Sequence, residues 1–128
     1  IKLKFSRKFL YFGGLIAVAE LMKIHDISEQ KAKLEEIFNK TVFEKCYTCA
    51  DRVGLIPEMN EILGFYNNFI DKISIPGNRI QLEATTKNTR NECSLYQELR
   101  DDGKKFSEAM ETFLQRAFGD EFISFLIF

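Results

Sequence analysis

The chain has 128 residues, 45% of them hydrophobic and 29% charged, a balance that excludes a disordered polymer and predicts one domain spanning 1–128. The 18 Lys and Arg are matched by 19 Asp and Glu, so the basic excess of a dedicated nucleic-acid binder is missing. Three cysteines are an odd number, which argues against a multi-bridge secreted scaffold. They favour a reducing intracellular compartment, with organellar or membrane-peripheral placement as alternatives.

The N-terminal stretch is basic and then apolar. Lys2, Lys4, Arg7 and Lys8 precede the first acid, Glu20, and such a run is either a solvated face or an attraction to an anionic surface. Phe9 to Ala19 is an uninterrupted apolar run of about eleven residues, well short of the roughly twenty that a bilayer-spanning helix needs. Three roles fit it: a buried core helix, an interfacial anchor, or a helix covered by a neighbouring subunit. Gly13 and Gly14 weaken the helix but let another backbone come close.

The next segment reads as one long helix. Asp26 with Glu29 makes a capping box, and Leu34, Ile37, Phe38, Val42, Cys46, Cys49, Ala50 and Val53 follow a three-four spacing. Gly54 suits a left-handed C-terminal cap. Pro57 then marks the first turn of another helix, carried by Met59, Ile62, Leu63, Tyr66, Ile70 and Ile73 and ending before Pro76-Gly77.

Residues 72–85 read in two ways. Ile73, Ile75, Ile80, Leu82 and Ala84 alternate as a small β-hairpin would, or they close one helix and open another. The helical neighbours favour the second. Thr89 and Glu92 form another capping box, for a helix ending near Gly103, and a final helix runs from about Phe106 to the stop at Gly119. The closing stretch, Phe122 to Phe128, is too apolar to stay in water. The N-terminal apolar run is its expected mate, with a partner or a bilayer as alternatives.

Chemistry-bearing motifs are sparse. Cys46-Tyr-Thr-Cys49 is a CxxC pair, but it falls late in a helix on the apolar stripe, where no helix N-terminus lowers a thiol pKa. A zinc site needs four ligands, and neither Cys93 nor His25 is spaced to complete one. His25, the sole histidine, sits near a helix end and reads as a capping or surface residue. Phosphate-cradling loops, nucleophile elbows and dinucleotide fingerprints are absent.

These observations predict an all-α bundle of about five helices with antiparallel neighbours, without cofactor or metal. The expected function is non-enzymatic: a small helical subunit of a larger assembly with protein partners, set at a membrane surface in one version. A helical module with a Phe-lined cavity for an apolar ligand or lipid is the alternative, and a thiol- or metal-dependent enzyme using Cys46 and Cys49 ranks last. The residues expected to meet a partner or membrane are Lys2, Lys4, Arg7, Lys8, Phe9, Phe12, Gly13, Gly14, Phe125 and Phe128.

Overall fold

The computed structural model describes residues 3–22 and 24–119, the side chains of residues 3 and 4 excepted. A π-helical turn, Leu3–Arg7, leads into α1 (Lys8–Met22). Five more α-helices follow: α2 (Ile27–Phe38), α3 (Val42–Val53), α4 (Ile56–Ile73), α5 (Pro76–Ala84) and α6 (Ser94–Phe118). The all-α class is as expected. The count is six helices among the described residues rather than five.

The extra helices and one merger have local causes. The long helix expected from Asp26 to Gly54 is two helices, because Thr41 interrupts it. Thr41 is extended, its hydroxyl accepts from the Glu44 N–H at 3.2 Å, and the Glu44 carboxylate accepts from the Thr41 N–H at 3.3 Å. Such a reciprocal box satisfies two donors that a continuous helix would have used otherwise, so the chain restarts there. At the outer ends, Asp26 accepts from the Glu29 N–H at 3.1 Å without the reciprocal bond of the expected box, and Gly54 closes α3 at a φ of +74° as expected.

Residues 72–85 form no hairpin, and no strand occurs among the described residues. Ile73 ends α4, and Pro76 opens α5 at the first turn, where its missing N–H would have had no intrahelical partner. Residues 94–118 are one helix, not two. Gly103 lies buried inside it instead of ending it. The cap is Cys93 rather than Thr89, whose hydroxyl instead accepts from the Thr86 N–H at 2.9 Å.

Side-chain pairs set the directions of the helices. Glu58 with Arg116, Asn68 with Asp102 and Lys72 with Glu98 tie α4 antiparallel to α6. Lys8 donates to Ser107 at 2.7 Å and Phe12 meets Phe113, so α1 runs parallel to α6. Gly13 against Val42 and Glu20 against Arg52 make α1 parallel to α3 as well. α1 therefore has two parallel neighbours, α3 and α6, besides its antiparallel chain neighbour α2, which acts as a crossover that returns the chain before α3 begins. α2 covers one flank of α1, and α5 leans on α4 and α6.

The core is built largely of phenylalanine. Phe5 stacks on Phe69 with ring centroids 4.4 Å apart and nearly parallel, Phe9 leans on Tyr66 at 4.6 Å, and Phe12 meets Phe113 edge-on at 5.7 Å. Each such pair adds about 0.5–1.5 kcal/mol beyond the area it buries. Met59, Ile62, Leu99 and Met110 fill the space between the rings.

Candidate functional site

The cysteines come first, because they are the residues best able to do chemistry. Cys46 and Cys49 are buried beneath α1. Burial, then the neighbouring Cys49, pushes the Cys46 thiol up to about 12. Burial, then the Glu20 carboxylate beside it, pushes Cys49 up to about 12. With no metal bound, both remain protonated thiols at neutral pH, a poor state for a nucleophile. No group of three or more His, Cys, Asp or Glu side chains able to hold a metal occurs among the described residues. His25 is exposed, as expected of a surface residue.

Cys93 differs. It caps α6, where its sulfur accepts from the Tyr96 N–H at 3.4 Å and the Gln81 side-chain amide at 3.5 Å. The Tyr96 N–H, then the Thr85 hydroxyl, holds this thiol below its ordinary value. Nearby, α4, α5 and α6 border an open cleft of about 390 Å³ whose lining includes Phe69, Ile73, Leu82 and Tyr96 alongside Arg79 and Glu83.

The ten residues expected to meet a partner separate into distinct places. Phe9, Phe12 and Gly13 are buried and serve the core. A Cβ built on Gly13 would stand 2.9 Å from a Val42 methyl, so this glycine is where α3 approaches α1. Gly14 faces outward into open space and Arg7 is exposed, while Lys8 is occupied with Ser107. Lys2, Phe125, Phe128 and the side chain of Lys4 lie outside the described residues.

A broad apolar surface lies on the outer sides of α1 and α2. Leu10, Gly14, Val18 and Met22 recur every four residues along the outer side of α1, and Ile27, Leu34 and Phe38 line the outer side of α2. Of these, Ile27 is 77% exposed, Phe38 74%, Leu10 62%, Met22 60% and Val18 50%. The two helices run antiparallel here: Val18 and Leu34, and Met22 and Ile27, border one shallow hollow of about 370 Å³. Leu21 lines it too, and Gln30 and Lys31 supply its polar edge. The i, i+4 progression from Leu10 to Met22 was the available signal. Inside a run that is apolar almost all round, it does not say which side is outward.

Taking a fully exposed large side chain as about 200 Å², Leu10, Val18, Met22, Ile27, Leu34 and Phe38 present on the order of 700 Å², above the few hundred usual for a monomer. No described helix is long and apolar enough to cross a membrane. No protein-family model, curated protein or solved structure matches the chain.

Proposed function

We propose that this chain is a non-enzymatic interaction module, a small helical subunit that docks through the outer face of α1 and α2. One observation carries the reading: large apolar side chains stand exposed on α1 and α2, Val18, Met22, Ile27 and Leu34 around one hollow, while side chains on α1's opposite side fill the core. The buried, protonated state of Cys46 and Cys49 supports a structural role for the CxxC pair over a thiol enzyme. Size-exclusion chromatography with light scattering, with and without mild detergent, tests it. The wild type elutes as an associated species that detergent dissociates, and Ile27→Lys weakens that association. A sharp monomer indifferent to both changes that also binds no lipid vesicle would refute the proposal.

A second reading rests on the cleft between α4, α5 and α6, whose size of about 390 Å³ falls in the small-molecule range. Here the chain is a binding module for an apolar ligand, with Phe69 and Tyr96 as the aromatic walls. Native mass spectrometry after gentle purification should then show a retained ligand, lost on Leu82→Glu. A clean apo mass would count against it.

A further inference from the structure

We infer that the occupant of the α1–α2 face is a second copy of the chain, paired about a two-fold axis that crosses both helices at the level of Val18 and Leu34. The inference rests on the docking role just proposed and names the partner. In this arrangement α1 lies antiparallel over its counterpart and α2 over its own, so that two helical hairpins form a four-helix layer.

Three features make the face complementary to itself, as an isologous contact requires. The first is shape. A two-fold axis at this level carries Phe38 of one copy, one turn past Leu34, toward the hollow between Met22, Ile27 and Lys31 of the other. On α1 the same operation sets Met22 over Gly14, where no neighbouring atom lies within 4 Å of a built Cβ. Ridge and hollow therefore occur on one surface at equal distances from the axis.

The second is charge. Lys31 and Glu35 lie one turn apart on the same edge of α2, both exposed, and among the described residues no ion pair engages either of them. The axis places Lys31 of each copy against Glu35 of the other, giving two reciprocal pairs. The third is area. The exposed apolar side chains, on the order of 700 Å² per copy, set an upper bound on the apolar area such a contact buries, within reach of the ~800 Å² that each partner gives a standard interface. An anionic membrane fits less well, because Glu35 stands on the same edge as Lys31 and opposes such a surface.

Sedimentation equilibrium of the full chain from about 10 to 200 μM tests the inference, a range that brackets ordinary self-association. The expected result is a monomer–dimer equilibrium, weakened at least tenfold by Val18→Lys with helical content unchanged. Lys31→Glu and Glu35→Lys each weaken the dimer about tenfold, since each reversal creates two like-charge contacts, and the double variant returns it to near the wild-type value. Both charged positions are exposed, so these variants keep the test valid even if Val18→Lys proves unstable.

Other results overturn it in distinguishable ways. A dimer indifferent to all of these changes uses a different face. A monomer that dimerises only as the Phe125→Asp/Phe128→Asp variant means that the chain's own C-terminal segment takes the surface. A monomer that binds vesicles of phosphatidylglycerol and phosphatidylcholine, and loses them on Val18→Lys, docks on lipid, which sinks the second copy but keeps the docking face. A monomer with neither behaviour removes both this inference and the function on which it rests.

Discussion

The inner and outer sides of α1 are both apolar and have opposite fates. Phe5 in the preceding turn, then Phe9, Phe12, Ile16 and Ala19, face the other core helices and are buried, while Leu10, Val18 and Met22 face outward. The adjacent glycines repeat the contrast: Gly13 lies under Val42, and Gly14 has open space above it. Hydrophobicity therefore did not choose the buried side. The positions of α3, α4 and α6 did.

The strongest way to break the comparison is to empty the inner side. Phe12→Ala removes a fully buried ring that meets Phe113 and should cost about 3–5 kcal/mol in a denaturant titration. A loss below ~1 kcal/mol would mean that this side is not packed as described.

Alkali probes the same region by way of the buried thiols. In the native state Cys46 and Cys49 keep their protons up to about 12, whereas in the unfolded chain they release them near the ordinary value of 9.0. The native state thus binds more protons between those values, and stability falls as pH rises through that window. The contribution is fully present below pH 9, and the loss should be roughly 3 kcal/mol per thiol, about 5 kcal/mol for the pair, by pH 11. A Cys46→Ala/Cys49→Ala variant should lack this slope in parallel titrations, and an equal slope in both proteins would contradict the burial of the thiols.

The glycines sharpen the contrast at smaller magnitude. Gly13→Ala forces a methyl against Val42 and should cost about 1–3 kcal/mol. Gly14→Ala meets nothing within the chain and should raise helix stability by about 0.5–1 kcal/mol, read as a higher Tm. If the two changes had equal effects, the inward and outward assignment of this helix would be in error. The smallest change comes from Val18→Lys, which should alter unfolding free energy by less than about 0.5 kcal/mol because its site is half exposed. Its consequence appears in association instead.

Much of the fold was legible in residue order. Asp26, Gly54, Pro57 and Gly119 each mark a helix boundary where the local hydrogen-bonding argument puts one. Thr41-Val-Phe-Glu44 carried an equally readable capping box, but the apolar stripe running past it concealed the break. Gly103 misled in the opposite sense, because a buried glycine inside a helix and a glycine cap look alike in sequence. Of the expected contact residues, Gly14 and Arg7 are on the surface, while Phe9, Phe12 and Gly13 went to the core.

The sequence by itself determined that the chain is helical, where most helices begin and end, and that its interior is rich in phenylalanine. Those outcomes depend on caps, prolines and spacing, which act within a few residues. Tertiary structure alone decided that α1 and α3 lie parallel, that Cys46 and Cys49 are sealed beneath α1, and that Leu10, Val18 and Met22 face outward. A helix apolar on nearly every side carries no direction of its own. Only the helices packed against it create an inside, and what they leave uncovered becomes the surface open to a partner.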